Sequence, residues 1–326
     1  MNFYVFIIVA FCFLNLSAKS LDSPDLNFNH DNPLSWQEWK KNTILNFKND
    51  FSESTINHFK KLTFNKRVIE LDRKQPEFTI TFEKYISNHL NKKKIVKLNN
   101  EYSKNKNLLD KIKKKYEVDP KILVSLWGIE TYFGNYVGKF NILRSLASLA
   151  YDGRRSNFFL GELKKALWII DNKHVEINNF KGSWAGAFGQ TQFMPSTFTN
   201  FAVDFNSDNK IDLFQKNDAL ASAANYLKKS GWDNKLIWGE KVSIKLTKDL
   251  RLLSEKKLYK SINFWESNGI KFKNDYNKKN KLRLIIPDST EGQCFLVNKN
   301  FDVILNWNRS NYFALTVFLL SNEINN

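Results

Sequence analysis

The sequence predicts a mainly α-helical protein with a small β region, that is, an α+β fold class. Helix-start signals followed by apolar residues at helical spacing recur from Ser35 to Lys229, whereas after Lys241 the apolar spacing shifts towards two, which is typical of strands. A last helical stretch follows at residues 310–320. With 326 residues, the chain can bury a core as one large domain or two smaller ones.

Each element follows from a local signal. Ser35 and Glu38 form a capping box, which predicts a helix that packs Trp36, Trp39, Thr43 and Phe47 inward. Asp119-Pro120 predicts another helix start, and Gly231 predicts a helix end. The predicted helices lie near residues 35–47, 54–62, 82–90, 108–116, 120–134, 143–152, 159–170, 218–229 and 310–320, and the predicted strands are 242–246, 281–286 and 294–297.

The first 20 residues predict export. Residues 3–14 are an unbroken apolar run, followed by the small-residue site Leu16-Ser17-Ala18. The run is shorter than the roughly 20 residues that span a bilayer. We expect a signal peptide over residues 1–20, although no Lys or Arg precedes the run, and Phe11 before Cys12 disfavours a lipoprotein. No later segment has the length and apolarity of a transmembrane anchor, which predicts a soluble, periplasmic protein.

The chain is strongly basic, with a formal net charge of +17. Such a charge suits an anionic polymer, but the lysines are scattered among asparagines, which favours a solvated surface. An exported protein rarely meets nucleic acid, so we do not expect it as a partner. The four histidines lie far apart without an HExxH motif, which argues against zinc chemistry.

The stretch SLWGIETYFG, Ser125 to Gly134, places a single acid, Glu130, among aromatic and aliphatic side chains. On a helix, Glu130 shares a stripe with Leu123 and Trp127, so its carboxyl group is predicted at the edge of the core. Burial and the negative end of the helix dipole both favour the protonated form and so raise the pKa, as a general acid requires. The alternative is a surface glutamate late in a helix.

No charged residue lies between Lys181 and Asp204. The segment GSWAGAFGQTQFMPSTF instead interleaves hydroxyl and amide side chains with aromatic rings, a combination that suits a neutral sugar. Its glycines let the backbone approach a bound chain. A phosphate loop is excluded because no GK[ST] follows. The alternative interpretation is a tight buried turn between helices.

A glycosidase with two catalytic carboxylates would need a second acid near Glu130. The acids nearest in the sequence are Asp152 in a DG turn, Glu162 beside a lysine pair and Asp171 at a helix end. We expect all three on the surface. One acid without an evident partner indicates a reaction whose nucleophile comes from the substrate.

An EF-hand-like loop provides oxygen ligands at its positions 1, 3, 5, 7 and 9, which here are Asp204, Asn206, Asp208, Lys210 and Asp212. The match is partial, because position 6 is Asn209 instead of glycine and position 12 is Gln215 instead of glutamate. Asparagine tolerates the left-handed conformation needed at position 6. Asp218 either replaces the missing ligand or caps its helix. Two interpretations therefore remain, a weak structural ion site and a loop that binds no ion.

Five motifs, in order, resemble the membrane-bound lytic murein transglycosylase B family. They are WGIETYFG, the pair Arg154-Arg155 with Phe158-Phe159, GSWAGAFGQTQFMPS, AVDFNSDNKIDL and SAANYLKKSGW. They cover most of Pro120 to Trp232. Weaker likeness extends to residues 75–78 and 300–314.

The resemblance implies a lysozyme-like catalytic core with a helical companion domain and a small β domain. The implied division is a signal peptide at 1–20, an N-terminal helical region at 21–105, the catalytic core at 106–239, the β region at 240–306 and a C-terminal helix at 307–326 that packs back on the helical region. The implied enzyme is a peptidoglycan lytic transglycosylase, a lyase that cleaves the MurNAc-β-1,4-GlcNAc bond and leaves 1,6-anhydro-MurNAc ends. Its partner is the glycan strand, and its chemistry requires no cofactor.

The resemblance also implies roles for individual residues. Glu130 is the implied sole acid and then base. Substrate contacts are implied at Ser183, Gln192, Phe193, Tyr226, Arg154, Arg155 and Asn308. A structural Ca²⁺ or Na⁺ is implied at Asp204, Asn206, Asp208, Lys210 and Asp218. The chain departs from a C-terminal YN-x-S-x-x-Y pattern, with Trp307 and Phe313 at the tyrosine positions. A muramidase or a non-catalytic wall-binding protein on the same scaffold are the alternatives.

Overall fold

A computed structural model describes residues 33–74, 80–288 and 293–325. These residues form fifteen α-helices, a 3₁₀ turn at Ile177–Asn179 and six strands. The helices are α1 Trp36–Phe47, α2 Glu53–Lys60, α3 Lys66–Arg73, α4 Phe82–Ser87, α5 Lys92–Lys104, α6 Lys106–Tyr116, α7 Pro120–Thr131, α8 Ile142–Asp152, α9 Ser156–Asp171, α10 Pro195–Phe201, α11 Lys216–Lys229, α12 Lys248–Glu255, α13 Ile262–Ser267, α14 Lys299–Trp307 and α15 Asn311–Asn322. The strands are β1 Phe140–Asn141, β2 Lys181–Gly182, β3 Gly239–Val242, β4 Lys260–Ser261, β5 Lys281–Ile285 and β6 Cys294–Val297.

The chain divides into two compact units. The glutamate unit contains the described residues of 33–74 and 130–223, and therefore Glu130. The sheet unit contains those of 80–129 and 224–325, including β3 to β6. The predicted signal peptide and the likeness at residues 75–78 lie outside the described residues. In the part of the chain that the structure describes, no helix has the length and apolar character needed to cross a membrane.

The core of the glutamate unit is built around α8, which is buried along almost its whole length and packs against α9 and α3. The predicted capping box of α1 is confirmed, since the Ser35 hydroxyl accepts the Glu38 N–H and the Glu38 carboxylate accepts the Ser35 N–H. Trp36 and Trp39 stack with ring centroids 5.3 Å apart, and both meet the ring of Tyr151 edge-on. This aromatic cluster fixes α1 on α8.

Helix α7 begins where the sequence predicts. The Asp119 carboxylate accepts the N–H of Lys121 at 2.9 Å, and Pro120 occupies the first helical position, where its missing N–H costs nothing. The helix ends because Tyr132, Phe133 and Gly134 follow with φ angles of 50°, 61° and 80°. Three consecutive left-handed residues cannot continue a right-handed helix.

The sheet unit holds an antiparallel sheet in the order β3-β6-β5-β4. Leu284 and Leu296 face each other in register, and the Trp265 indole donates to the carbonyl of Leu282 at 3.0 Å over the buried core. The predicted fold class, mainly helical with a small β region, is confirmed. The strand predictions at 281–286 and 294–297 are confirmed as β5 and β6.

The predicted strand at residues 242–246 is wrong, because the strand is Gly239–Val242. Ile244 and Leu246 leave the sheet ladder but still pack against its core, so their alternation reflects burial without strand pairing. The true strand needs Gly239, since a Cβ there would lie 2.1 Å from the carbonyl oxygen of Leu296. Six helices of the described residues, α3, α5, α10, α12, α13 and α14, were not predicted.

The prediction that the neighbouring acids are surface residues is wrong for Asp152 and Glu162, whereas Asp171 is partly exposed. Asp152 and Glu162 are 1% and 4% exposed. Asp152 forms an ion pair of 2.9 Å with Arg73, and Glu162 accepts the N–H of Ser196 at 2.8 Å. Each partner lies more than 30 residues away, so no local pattern announces the burial.

A buried arginine stabilises the sheet unit, and its removal can be tested. Arg283 is 2% exposed, donates to the Asp302 carboxylate at 2.6 Å and lies over the Phe301 ring. In Asp302→Ala the guanidinium loses its carboxylate, and because Asp302 is itself partly exposed we expect a loss of about 2 kcal/mol in the free energy of unfolding. Urea unfolding, with hydrogen exchange at β5 and β6 as the local readout, measures the loss.

The matched control is Asp275→Ala, an exposed acid of the same unit. The double variant Arg283→Met, Asp302→Ala should recover part of the loss, because an apolar side chain needs no counter-charge. Equal stabilities of Asp302→Ala and Asp275→Ala would show that the pair contributes nothing.

Candidate active site

Glu130 is the penultimate residue of α7 and is half-buried. The apolar positions before it place it at the end of a helix that is buried over residues 122–127 and partly exposed at Gly128 and Ile129. The backbone then turns sharply through Tyr132 and Phe133. The carboxyl group therefore sits beside a backbone turn that must be held in place by other contacts.

The hydroxyl of Thr131 supplies the first of these contacts. It donates to the carbonyl of Gln190 at 2.7 Å and accepts the N–H of Gly134 at 3.0 Å. Thr131 is 1% exposed, so both bonds are shielded from water. Gly134 lies so close to Gln190 that an added Cβ would be 2.5 Å from its side-chain oxygen. One hydroxyl thus joins the end of the Glu130 helix to the uncharged segment.

Further contacts continue this connection. The Gln192 side chain donates to the carbonyl of Val137 at 3.1 Å and to that of Gly189 at 2.9 Å. Phe140 pairs with Gly182 in the β1–β2 ladder, and Gly138 passes Gly182 so closely that any Cβ would overlap its carbonyl. The residues that follow Glu130 and the uncharged segment therefore form one continuous structure.

Ser183 and Phe193 both lie inside this structure. Ser183 is 8% exposed, and its hydroxyl accepts the N–H of Ala187 at 3.0 Å while its own N–H donates to the Ala187 carbonyl. Phe193 exchanges two backbone hydrogen bonds of 3.0 Å with Phe188, which folds the segment into a tight loop. Gln192, between them, adopts a φ of 51°. The segment is a tight turn, as the alternative interpretation has it, and its contact with a sugar stays a prediction.

Tyr226 and Asn308 belong to the sheet unit. The Tyr226 hydroxyl donates to the carbonyl of Asn306 at 2.8 Å, and its ring meets Trp307 edge-on at 5.1 Å. Burial raises the pKa of the Tyr226 hydroxyl, so it stays a neutral donor at pH 7. The Asn308 side chain accepts the N–H of Ser310 at 3.0 Å.

Arg154 and Arg155 both hold the carboxylate of Asp72, which is 3% exposed. Arg154 also donates to the Asp72 carbonyl at 3.2 Å, and Arg155 lies over the Phe159 ring at 4.9 Å. Desolvation lowers the pKa of Arg155, and the Asp72 charge opposes that shift. The Arg154 side chain keeps 49% of its surface exposed, so it alone of the pair retains a broad face towards solvent.

The EF-hand-like loop is curled as the sequence predicts. The Asp204 carboxylate accepts the N–H groups of Ser207 at 2.7 Å and Asn209 at 2.9 Å, and Asn209 adopts a φ of 65°. The Asp208 carboxylate accepts from the Asn206 side chain and from the N–H of Lys210, each at 2.9 Å.

Asp218 closes the loop. It is fully buried and accepts the N–H groups of Phe205 and Asp212, both at 2.9 Å, while α11 begins two residues earlier at Lys216. The prediction that this helix begins at Asp218 is therefore wrong. Burial raises the pKa of Asp218.

The donors of this loop suit a hard cation, because they are carboxylate and amide oxygens. Their carboxylates, however, accept the loop's own N–H groups. Across the described ranges, no three histidine, cysteine or acidic side chains converge in a way that holds a metal ion. The loop thus has the donor types and the curvature that a cation needs, but its carboxylates are only partly arranged to converge on one.

Two residues at the site, Thr131 and Asp72, were not singled out from the sequence. Thr131, Gln190 and Asp72 connect segments that lie 59 or more residues apart. The only available signal is that Thr131 directly follows Glu130, and nothing near Asp72 points to the arginine pair.

Comparison with protein families finds a match to the model described as "Transglycosylase SLT domain" over residues 35–322. Membrane-bound lytic murein transglycosylase B of Escherichia coli (strain K12) is 34% identical over 212 residues, which cover 64% of this chain and 58% of that protein. The match therefore spans less than two thirds of the length of this relative.

Solved structures are also similar. SltB3 from Pseudomonas aeruginosa, in complex with NAG-NAM-pentapeptide, has a TM-score of 0.83 and 35% identity over 88% of this chain and 79% of that chain. The Escherichia coli lytic transglycosylase Slt35, in complex with calcium, has a TM-score of 0.74 and 26% identity over 90% and 93% of the two chains. These matches confirm the lysozyme-like fold class that the motifs implied.

The role of the two hydrogen bonds of the Thr131 hydroxyl can be tested with Thr131→Val, which keeps the shape of the side chain and removes the hydroxyl. We expect a loss of about 1–3 kcal/mol in the free energy of unfolding, because the buried Gln190 carbonyl and Gly134 N–H lose their partner. Hydrogen exchange at Gly134 should become roughly five- to 150-fold faster, which is what a loss of about 1–3 kcal/mol corresponds to. Thr199→Val, at an exposed hydroxyl, is the matched control. Unchanged exchange at Gly134 would contradict the role given to Thr131.

Proposed function

Because the chain belongs to the transglycosylase SLT domain family, we propose that it is a lytic transglycosylase that cleaves the glycan strands of peptidoglycan. The observation that carries this proposal is the connection between the end of the Glu130 helix and the uncharged segment, made by Thr131 and Gln190. It combines a half-buried carboxyl group with a lining of hydroxyls, amides and aromatic rings. That combination suits bond cleavage in a largely neutral sugar chain.

In the proposed reaction Glu130 acts twice. As an acid it gives its proton to the glycosidic oxygen between MurNAc and GlcNAc, and the bond from that oxygen to C1 breaks. As a carboxylate it then takes the proton of the MurNAc C6 hydroxyl, whose oxygen bonds to C1. The product is a 1,6-anhydro-MurNAc end, Glu130 is again protonated, and no water is consumed.

The state of the neighbouring acids supports a single-acid mechanism. Asp152 is paired with Arg73, Glu162 accepts from Ser196, and Asp171 accepts from Ser52. Desolvation raises the pKa of Glu162, which makes it a poor anionic nucleophile as well as an inaccessible one.

We further propose that Ser183, Gln192 and Phe193 contact the sugar. The sugar contacts that the resemblance implies for Tyr226 and Asn308 of the sheet unit stay predictions. The side-chain carbonyl oxygen of Gln192 provides an acceptor for a sugar hydroxyl or an N-acetyl N–H, since the side-chain and backbone N–H groups of this residue already donate within the loop. Arg154 is the better candidate of the arginine pair for a substrate carboxylate, since Arg155 is more buried and stacks on Phe159.

The predicted division into a core at 106–239 and a β region at 240–306 is kept as part of this proposal, as is export to the periplasm. The apolar run and cleavage site in residues 1–20 support export. The location of the proposed substrate agrees with export, because peptidoglycan lies outside the cytoplasmic membrane.

A structural Ca²⁺ is proposed for the loop of Asp204, Asn206, Asp208, Lys210 and Asp218, with Na⁺ as the competing ion. When bound, it would neutralise clustered acids and stabilise the loop, and it would take no part in the chemistry. The loop matters to the site because its end supports Gln190, whose N–H donates to the Leu213 carbonyl at 2.7 Å and whose side chain donates to the Phe214 carbonyl at 2.6 Å.

The catalytic proposal is tested with Glu130→Gln on purified peptidoglycan sacculi. The amide cannot donate and then recover a proton, so we expect release of soluble fragments to fall by roughly a thousandfold or more. Binding to sacculi should persist. Mass spectrometry of the wild-type products should show muropeptides lighter by one water than the corresponding reducing fragments.

Glu176→Gln, at an exposed glutamate of the same unit, is the matched control and should retain full activity. Products with reducing MurNAc ends would identify a muramidase instead. Undiminished turnover by Glu130→Gln would sink the acid–base role, and binding without any turnover by the wild type would indicate a wall-binding protein.

The ion proposal is tested by thermal unfolding with CaCl₂, with NaCl at matched ionic strength and with a chelator. A ligand that binds only the folded state at ten times its Kd stabilises by about 1.4 kcal/mol, so we expect the unfolding temperature to rise by a few degrees with Ca²⁺. Asp208→Asn should weaken the response, whereas Asp50→Asn, at an exposed acid, should leave it intact. An equal response to both salts, or the same calcium response in both variants, would refute a specific calcium site.

A further inference from the structure

His174 contacts the EF-hand-like loop from another part of the glutamate unit. It lies in the turn after α9, and its Nδ1 accepts the N–H of Ile211 at 3.2 Å across 37 residues of sequence. A backbone N–H can only donate, so Nδ1 carries no proton and the neutral ring holds its proton on Nε2. Desolvation lowers the pKa of His174, which agrees with a neutral ring at pH 7. None of the roles proposed above uses this histidine.

The imidazole ring is itself fixed by its surroundings. Its centroid lies 5.6 Å from that of Trp168 on α9 and 5.5 Å from that of Phe198 on α10. The His174 backbone N–H donates to the carbonyl of Ile169 at 3.1 Å. An acceptor on a side chain that is locked by packing holds its donor in a narrow range of positions. The contact with Ile211 therefore fixes one point of the loop relative to α9 and α10.

The peptide unit between Lys210 and Ile211 carries this constraint into the loop. A trans peptide is planar, so its C=O and N–H groups point in opposite directions. The peptide bonds of the described residues include no cis bond. Because the Ile211 N–H points at Nδ1 of His174, the Lys210 carbonyl points away from His174.

The Lys210 carbonyl is also free to bind a ligand. In the part of the chain that the structure describes, no backbone or side-chain group donates to it. The carboxylates of Asp204, Asp208 and Asp218, by contrast, all accept N–H groups of the loop. A cation can therefore bind the Lys210 carbonyl without breaking a hydrogen bond.

An EF-hand loop takes a backbone carbonyl from its position 7, which is Lys210 here. A side-chain ligand can reorient by rotation of its own bonds, whereas a carbonyl turns only with its whole peptide unit. If this unit flipped, the Ile211 N–H would take the place of the carbonyl, and its positive end would repel a cation. An outer contact that orients a metal ligand is commonly worth roughly ten- to a hundredfold in metal affinity.

We propose that His174 is a positioning residue for the cation of this loop. By accepting the Ile211 N–H, it fixes the orientation of the Lys210 peptide unit and keeps the carbonyl available as the ligand at position 7. The inference rests on the Ca²⁺ that the proposed function assigns to the loop. It adds a residue that does not touch the ion and acts through one peptide unit.

The Ca²⁺ affinities of three proteins test the proposal. Isothermal titration of the full chain with CaCl₂ gives the Kd of the wild type, His174→Phe and His174→Asn. His174→Phe keeps an aromatic ring beside Trp168 and Phe198 but has no acceptor, so we expect its Kd to rise roughly tenfold or more. His174→Asn loses the ring but offers a side-chain oxygen near the position of Nδ1, so its Kd should stay within roughly threefold of the wild-type value. A role limited to packing predicts the opposite order, because phenylalanine replaces the packed ring better than asparagine does.

A second readout needs no substitution and stays valid even if His174→Phe folds poorly. Ca²⁺ on the Lys210 carbonyl polarises the peptide unit that this carbonyl shares with the Ile211 nitrogen. The amide nitrogen resonance of Ile211 should therefore shift in NMR spectra as CaCl₂ saturates the wild type. In each variant the shift should follow the Kd of that variant.

Two further variants are controls. His58→Phe makes the same change on α2 of the same unit and should bind Ca²⁺ as the wild type does. Lys210→Ala keeps the backbone carbonyl and removes a positive charge, so it should bind at least as tightly as the wild type.

Five outcomes would overturn the role of His174. They are wild-type affinity in His174→Phe, equal weakening in His174→Asn and His174→Phe, weaker binding by Lys210→Ala, an Ile211 nitrogen resonance that does not move at saturation, and a wild type that binds no Ca²⁺.

Cleavage of sacculi by the same preparations separates this inference from the proposed function. Normal cleavage with equal Ca²⁺ affinities across the variants would remove the role of His174 and leave the enzyme. Ca²⁺ binding that depends on His174, without cleavage, would leave that role and remove the enzyme.

Discussion

The hydroxyl of Thr131 is the contact on which the geometry of the candidate site depends. The helix that carries Glu130 must end abruptly, and it does so by three left-handed residues, two of which are not glycine. Such a turn is strained and persists only when its surroundings fix it. Thr131 fixes it by accepting the N–H of Gly134 and donating to Gln190, both while buried.

The strained turn is therefore held in place by contacts with residues outside it. Gln190 is itself held by Leu213 and Phe214, and Gly189 passes Leu213 so closely that an added Cβ would lie 2.5 Å from its side chain. Those residues end the loop that Asp218 closes through two backbone N–H groups. A chain of partly buried, directional contacts thus runs from a loop acid to the residue after Glu130.

Local signals predicted much of the fold but little of its long-range bonding. The capping box at Ser35, the start of α7 and strands β5 and β6 all arise from residues within a few positions of one another. Helix α5, by contrast, begins in a lysine run that reads as a solvated surface. Only tertiary contacts at residues such as Leu98 and Tyr102 decide that it is a helix with a buried face.

The site shows the same division between what is local and what is not. Glu130 and the uncharged segment could be chosen from the sequence because their composition is unusual over ten to twenty residues. The burial of Asp152 and Glu162 could not be predicted, since their partners Arg73 and Ser196 are distant and a carboxylate beside lysines ordinarily faces water.

The burial of these acids gives the proposed single-acid mechanism a different argument from the one that the sequence offered. The glutamate unit buries Asp72, Asp152, Glu162 and Asp218, and each accepts hydrogen bonds from a different segment of the chain. A carboxylate that bridges two segments cannot leave its donors without exposing unpaired polar groups, which costs more than an ordinary hydrogen bond returns. Such acids are fixed as cross-links and are unavailable as nucleophiles. An acid that must both lose and regain a proton needs access to its substrate, and half-buried Glu130, at the end of its helix, meets that requirement. In the proposed mechanism the buried acids keep their structural hydrogen bonds, proton transfer is assigned to Glu130, and the nucleophile is the hydroxyl group of the sugar itself.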